Sequence, residues 1–325
     1  MLRLFGPGCS NALVDAKSAL GGAQQAVWID LLEPTREEEA LAEKMMGANI
    51  PTRAEMQEIE PSSRLYEKDG VVFMTMPVLY GVVEKHPSTD PISFILTDKH
   101  LVTVRYVDPK PFAIFTEHAE AETELTRDPL TVLVRLLDAI IDRLADELEN
   151  AGRELEAISN HIFERRARSE RRNPELRLEA LMLRIGEVQR LIARVRESSL
   201  GSSRMLGFLA ACDLMDMHNG HSRHVQSLIA DAHALDDHSD FLAENLTFLL
   251  NASLGMITLE QNFVMKIFSV VAVVLMPPTL LAGVYGMNFE HMPELKWLFG
   301  YPFSIGLMLA SAILPYMFAR RRGWL

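Results

Sequence analysis

The sequence contains little cysteine, only two residues in 325. A disulfide framework is therefore excluded, and we expect Cys9 and Cys212 to stay unpaired in a reducing compartment. We also expect no secretory signal, because the N-terminus has no apolar run long enough for one and is interrupted by a Gly-Pro-Gly segment. We therefore expect roughly the first 260 residues to stay in the cytoplasm.

Motifs of the common enzyme classes are missing as well. Residues 1 to about 125 have no glycine-rich phosphate loop after a strand, no nucleophile elbow and no cysteine–histidine cluster. A membrane-anchored metal hydrolase built on the acidic and histidine residues of 213–240 would need a ligand set such as His-Glu-x-x-His, which is absent. We therefore expect a protein that is not an enzyme.

Two long C-terminal runs contain no charged residue. They cover 267–289 and 297–319. At about 1.5 Å of helical rise per residue, each run is long enough to cross a hydrocarbon core of roughly 30 Å. Core helices of soluble proteins are usually shorter and carry polar residues on one face. We therefore predict an integral protein of the bacterial inner membrane, with spans at about 264–285 and 301–319.

The charges that flank the two runs predict their orientation. Lys266 precedes the first run, and three arginines at 320–322 follow the second. Basic residues favour the cytoplasmic side of a membrane. We therefore expect both ends of the chain in the cytoplasm, including the basic tail 320–325, and the connecting loop 286–300 outside.

Residues 1–127 have the pattern of a cytoplasmic α/β domain. β-Branched and aromatic residues are concentrated in AVWIDLLEP, in VVFMTMPVLYGVV and in ISFILTDKHLVTVRYV, the last of which predicts two strands joined by a tight turn. The segment TREEEALAEKMMG predicts a short helix, because it combines a threonine cap, an acidic first turn and a terminal glycine.

Helical periodicity dominates the chain after residue 127. An Asp-Pro pair ending at Pro129 and an Asn-Pro pair ending at Pro174 each precede apolar residues at spacings of three and four. These patterns predict two antiparallel cytoplasmic helices within 128–221, packed on each other or on a neighbouring subunit.

A longer helix follows them. From about Ser222 the pattern stays helical, and no proline occurs before Pro277, inside the first apolar run. A continuous helix over 222–285 would be roughly 90 Å long. We therefore predict a stalk helix that enters the membrane as one rod.

The small and weakly polar residues of the first span form one stripe, which begins just before the span. At steps of three and four, the stripe contains Asn262, Met265, Ser269, Ala272, Met276, Thr279 and Gly283. Small residues also line helix contacts in membranes, which is the structural alternative. However, the amide and hydroxyl groups suit contact with a hydrated ion, and methionines can form an apolar constriction that closes by dewetting. The stripe therefore predicts a pore-lining face, and several copies of the chain must surround the pore because two spans cannot enclose it.

The loop after the first span carries oxygen ligands. Asn288 lies where the stripe reaches the outer surface, and Glu290 and Glu294 follow. Mg²⁺ gives up its waters reluctantly, so an amide oxygen that binds the hydrated ion is a reasonable first site. The two glutamates would enrich cations at the mouth. Because the interior potential drives cations inward, we predict influx of hydrated divalent cations down their electrochemical gradient.

The C-terminal motifs resemble those of the CorA family of magnesium transport proteins. The motifs are YGMNF, MPELKW, GYP and the basic end ARRRGWL, and the match continues back through MPPTLLAGVYGMN and NFVMKIF. The similarity is strongest over about 260–325. It implies a funnel-shaped homopentamer in membrane lipid, in which a cytoplasmic α/β domain and long stalk helices precede two C-terminal transmembrane helices.

The resemblance also assigns roles to residues. Gly286, Met287 and Asn288 match the selectivity motif of the family. Five residues of the stripe match its pore-lining positions: Asn262, Met265, Met276, Thr279 and Gly283. The family implies magnesium as substrate, passage of cobalt and nickel, and closure by magnesium bound at acidic residues between cytoplasmic subunits.

No short motif marks such a regulatory magnesium site. The acidic segment DAHALDDHSD offers four aspartates, which could equally be solvated helix surface. We predict that Asp231, Asp236 and Asp237 bind the regulatory ion, with Asp231 as the first choice.

A zinc transporter of the related ZntB branch is the alternative function. Imidazole suits zinc rather than magnesium, and the chain has a group of histidines at His218, His221, His224, His233 and His238. None lies on the stripe, and the first three flank a glycine turn, so we expect surface residues. A second alternative is a two-span anchor without transport, in which Asn288 could be changed freely. We expect no nucleic acid partner for any of these functions.

Overall fold

The computed structural model describes residues 1–6, 26–58, 60–163, 174–212, 221–287, 292–293 and 297–322. Contacts divide the chain into two units, Met1–Leu249 and Leu250–Leu325. The first unit contains a six-stranded sheet with its helices, and the second contains the most apolar part of the chain.

The described strands form one mixed sheet in the order β1-β2-β6-β5-β4-β3. The parallel neighbours are β2 and β6, and the other described neighbours are antiparallel. The strands are β1 (Leu2–Phe5), β2 (Trp28–Leu32), β3 (Leu65–Lys68), β4 (Val71–Tyr80), β5 (Ser88–Leu96) and β6 (Leu101–Arg105). The predicted strands correspond to β2, β4, β5 and β6, so the predicted α/β class is confirmed.

Three short helices lie between β2 and β3 in the chain. They are α1 (Arg36–Met46), α2 (Arg53–Met56) and α3 (Pro61–Arg64). The predicted helix is confirmed as α1: the Thr35 hydroxyl accepts from the Glu38 amide, and the helix ends at Gly47 with a φ of 73°. Leu41 of α1 and Met56 of α2 are buried in one core with alternate residues of the strands.

Longer helices cover the opposite face. Here α4 (Lys110–Ala121) brings Phe112 and Phe115 against Phe94 and Trp28, with ring centroids 6.2 and 5.4 Å apart respectively. A short 3-10 turn follows, and then come α5 (Pro129–Phe163) and α6 (Pro174–Ala210). Both begin at the prolines that the sequence predicted.

Helix α6 approaches the sheet closely at Gly201. A Cβ atom there would lie 2.7 Å from Cδ of Pro77 in β4, so no larger residue fits without movement. On the same helix, the buried Ser199 hydroxyl donates to the Ala232 carbonyl at 2.9 Å. Small residues therefore allow α6 to pack between the sheet and the next helix.

A charged network lies inside the first unit. Arg105 and Asp30 are fully buried, and the guanidinium donates to both carboxylate oxygens, from Nε at 3.0 Å and from the second terminal nitrogen at 2.8 Å. Thr103 also donates to Asp30. Burial by itself would lower the pKa of Arg105, but hydrogen bonding and the charge of Asp30, together with Asp108, outweigh it and raise that pKa.

The last two helices are α7 (Ser222–Tyr285) and α8 (Gly300–Arg321). The helix predicted from Ser222 is confirmed as one continuous element of 64 residues. Both helices contain an 18-residue segment apolar enough to cross a membrane, with mean hydropathy 2.2 and 1.6. Helix α8 extends slightly beyond the predicted span 301–319 at both ends.

Candidate functional site

The predicted stripe occupies one exposed face of α7 within a single chain. All seven residues from Asn262 to Gly283 are exposed, including Met265 at 64% and Met276 at 73%. Their spacing of three and four keeps them within one side of the helix. In the described part of a single chain, this face is therefore uncovered along its whole length.

The opposite face of the same span is partly covered. Its least exposed residues recur at helical spacing: Val270, Val274, Pro277, Pro278, Leu281 and Tyr285. The second span has a matching stripe of half-buried or buried residues: Ser304, Met308, Ser311, Ala312, Pro315 and Ala319. Each helix therefore has one side that is less exposed than the rest. The sequence did not reveal this difference, because no charged residue distinguishes the sides of either apolar segment.

The hydroxyl groups on the exposed face donate to their own helix. Ser269 Oγ donates to the Met265 carbonyl at 2.8 Å, and Thr279 Oγ1 lies within hydrogen-bonding distance of the Leu275 and Met276 carbonyls, at 3.1 and 2.9 Å. A hydroxyl whose proton is used in this way keeps lone pairs that can accept. The waters around a hydrated cation point their hydrogens outward, so these oxygens suit that ligand.

The end of α7 leads directly into the predicted selectivity motif. The Gly286 amide donates to the Ala282 carbonyl at 2.9 Å, and the Met287 amide donates to the Val284 carbonyl at 3.2 Å. A Cβ atom at Gly286 would lie 3.1 Å from the Ala282 oxygen, so a side chain there would crowd the last turn. Three predicted residues lie outside the described part of the chain: Asn288, Glu290 and Glu294.

The three aspartates predicted to regulate the protein have different surroundings. Asp231 and Asp237 are exposed, whereas Asp236 is half-buried, with its Oδ1 3.4 Å from Nε of Arg196. The same arginine contacts Asp240 at 2.9 Å. Within the described residues, no group of three or more acidic, histidine or cysteine side chains could hold a metal.

Asp231 instead belongs to an acidic surface that the sequence analysis did not identify. Helix α5 carries Asp138, Asp142 and Asp146 at spacings of four, which place them on one side. Partial burial, followed by the charges of Asp138, Asp146 and Asp231, raises the pKa of Asp142. The spacing of the aspartates within 138–146 is visible in the sequence. Their proximity to Asp231 of α7 is not, because it depends on how the two helices pack.

Replacing Asp142 with asparagine is expected to stabilise the protein at neutral pH. Because the raised pKa makes the folded state hold this proton more tightly than the unfolded chain, stability falls as pH rises above the ordinary value of 3.8. Removing two like-charge i,i+4 pairs should raise the free energy of unfolding by about 0.5–1 kcal/mol at pH 7. The measurement is the thermal unfolding midpoint of the detergent-purified wild type and variant, compared at pH 7 and at pH 4.

The matched control is Asp98→Asn, at an exposed position in the turn between β5 and β6. We expect that variant to unfold like the wild type. A lower midpoint for Asp142→Asn at pH 7 would contradict a net cost of the ionised carboxylate, which comes from partial burial and then from the neighbouring charges.

The histidines that motivated the zinc alternative make separate contacts. His221 Nε2 lies 3.0 Å from Thr131 Oγ1, and His224 Nε2 lies 3.4 Å from Asp138 Oδ2. His233 lies 3.4 Å from the Ser203 hydroxyl, and His238 stacks on Phe241. His218 lies outside the described residues. The other four therefore contact four different residues and do not converge on one site.

Known proteins match this chain over most of its length. The family described as CorA-like Mg²⁺ transporter protein matches residues 23–321. The magnesium transport protein CorA of Escherichia coli strain K12 is 33% identical over 300 residues, which cover 92% of each chain.

Two solved structures resemble this chain in fold. The complete structure of the CorA magnesium transporter from Methanocaldococcus jannaschii superposes with a TM-score of 0.78, at 18% identity, over 100% of this chain and 98% of that one. The ZntB cytoplasmic domain from Vibrio parahaemolyticus is more distant, with a TM-score of 0.51 and 8% identity over 70% of this chain and 86% of that one.

Proposed function

Because this chain belongs to the family of CorA-like Mg²⁺ transporter proteins, we propose that copies of it form a homopentameric channel in the inner membrane. Hydrated Mg²⁺ enters the cell through this channel down its electrochemical gradient, and cobalt and nickel also pass. The function is transport, and magnesium is the substrate. Both termini face the cytoplasm, and the loop between the spans faces outward.

The exposed face of α7 carries this proposal. The seven residues of the stripe lie opposite the half-buried side of the span, so they are available to line an axis shared by several copies. The hydroxyl oxygens of Ser269 and Thr279 present lone pairs on this face. In an assembly of several copies, the side chains of Met265 and Met276 would each form an apolar constriction around the axis. Such alternation provides water contacts between constrictions that close by dewetting.

The entrance lies at the end of the same helix. Gly286 and Met287 continue from its last turn, and Asn288 follows them in the sequence. The amide oxygen of Asn288 binds the hydration shell, so the ion need not lose its waters first. Glu290 and Glu294 concentrate cations at the mouth. The interior potential contributes about 2.3 kcal/mol per elementary charge for each 100 mV, and twice that for a divalent ion.

Ion flux into liposomes tests the proposal. Purified protein is reconstituted and exposed to Mg²⁺, Co²⁺, Ni²⁺ or Zn²⁺ under an imposed negative interior potential. We expect Mg²⁺, Co²⁺ and Ni²⁺ influx that rises with the potential. Protein-free liposomes are the control, and Mg²⁺ flux no greater than theirs would refute transport.

Zinc transport of the ZntB type is the second candidate. Its support is limited to the group of histidines within 218–238 and to a fold likeness at 8% identity. The four described members of this group contact α5, α6 and Phe241 rather than one another. In the same assay, Zn²⁺ flux without Mg²⁺ flux would favour this candidate.

We further propose that internal magnesium acts as a regulatory ligand through Asp231 and Asp237, with Asp236 nearby. Neutralising the two exposed residues as Asp231→Asn and Asp237→Asn should leave conduction intact and weaken closure, because a divalent ion loses two carboxylate ligands. The measurement is Mg²⁺ influx at increasing magnesium inside the liposome. The control is Asp98→Asn, and inhibition unchanged from the wild type would remove these residues as regulators.

A further inference from the structure

Two consecutive prolines interrupt the hydrogen bonding of α7 within its apolar segment. Pro277 and Pro278 lie inside the helix and have no N–H group. The carbonyls of Val273 and Val274, four residues earlier, therefore receive no helical hydrogen bond from them. A lipid-facing segment cannot replace these bonds with water, so this turn is less restrained than the rest of the helix.

The next two carbonyls are bound by a side chain. Thr279 Oγ1 lies within hydrogen-bonding distance of the carbonyls of Leu275 and Met276. Hydroxyl bonds to carbonyls three or four residues earlier favour helix bending. Two carbonyls that lack a proline N–H donor thus precede two that are shared with a hydroxyl, and Met276 lies at this junction.

The direction of bending follows from the two faces of the helix. Pro277 and Pro278 belong to the half-buried side, whereas Met276 is 73% exposed on the opposite side. A proline ring clashes with the carbonyl four residues earlier, so a helix bends away from its prolines. A bend caused by these prolines would therefore place Met276 on the inner side of the curve.

We propose that Pro277 and Pro278 are positioning residues that set how far Met276 projects into the ion path. This inference rests on the proposed pore. A stronger bend withdraws the centre of the span, and Met276 with it, from the axis. A straighter helix brings the methionines of neighbouring copies together and closes the apolar constriction.

The test is the double variant Pro277→Ala/Pro278→Ala in the full-length chain. Alanine restores both N–H donors and favours a straight helix. We expect Mg²⁺ flux into liposomes to fall by about tenfold or more, while the oligomer and its thermal midpoint stay unchanged or rise. The matched control is Pro315→Ala, which removes the proline inside α8 and should keep flux within about twofold of the wild type.

A third substitution separates positioning from a merely structural role. Adding Met276→Ala to the double variant removes the constricting side chain and should restore flux to the level of Met276→Ala alone. Wild-type flux in the double variant would overturn the inference, and so would a loss of flux that Met276→Ala does not restore. If the double variant fails to assemble, Pro277→Ala alone restores one donor and must give a smaller loss with the same rescue. Absence of flux in the wild-type protein would instead refute the pore itself.

Discussion

Replacing Asn288 with alanine is expected to abolish Mg²⁺ uptake while the oligomer still assembles. The carboxamide is the proposed first contact of the hydrated ion, and alanine offers no oxygen to accept hydrogen bonds from its waters. Asn288→Asp should also strongly reduce uptake, because a fixed carboxylate alters how the ion is held and released. The measurement is Mg²⁺ flux into liposomes, with assembly followed by cross-linking.

The control for this prediction is Glu294→Gln, which changes the charge of the same loop. Loss of one attracting charge should slow uptake most at low ionic strength and leave it measurable, because exposed charges are screened by salt. Wild-type flux from both Asn288 variants would contradict the proposed entrance and favour an anchor without transport.

The largest expected effect on stability comes from Arg105→Met. The substitution leaves the Asp30 carboxylate fully buried without its bidentate partner. Breaking a buried ion pair in this way costs about 3–5 kcal/mol of folding free energy. Thermal unfolding of the detergent-purified chain, together with the yield of folded protein, measures the loss.

Two comparisons sharpen this prediction. Arg135→Met removes an exposed arginine whose partner Asp138 is 3.6 Å away, and should cost at most about 1 kcal/mol. The double variant Asp30→Leu/Arg105→Met removes both buried charges and should recover part of the loss, because a buried pair can often be replaced by apolar residues. A single Arg105→Met variant as stable as the wild type would refute an essential role for the ion pair.

Local signals in the sequence account for much of the fold. Pro129 and Pro174 mark the starts of α5 and α6, because proline suits the first turn of a helix. The strands β4 and β5 are long enough for their composition to be recognised. In contrast, β1 and β3 contain four residues each, too few to show a period.

Contacts between distant residues could not be predicted in the same way. Asp30 and Arg105 are separated by 75 positions and meet only when β2 pairs with β6. The stripe from Asn262 to Gly283 was visible because helical spacing is a local property. The contact between Asp236 and Arg196 was not visible, because it depends on how α6 and α7 pack.

The direction of the hydroxyl bonds in the first span bears on the sign of the charge that the proposed pore would admit. Ser269 and Thr279 direct their protons back to the helix backbone. Chloride or phosphate passing these two positions would meet only oxygen lone pairs and would be repelled. Rejection of anions in this stretch would thus need no acidic side chain, and the wall would hold no fixed charge strong enough to trap a divalent ion during its passage.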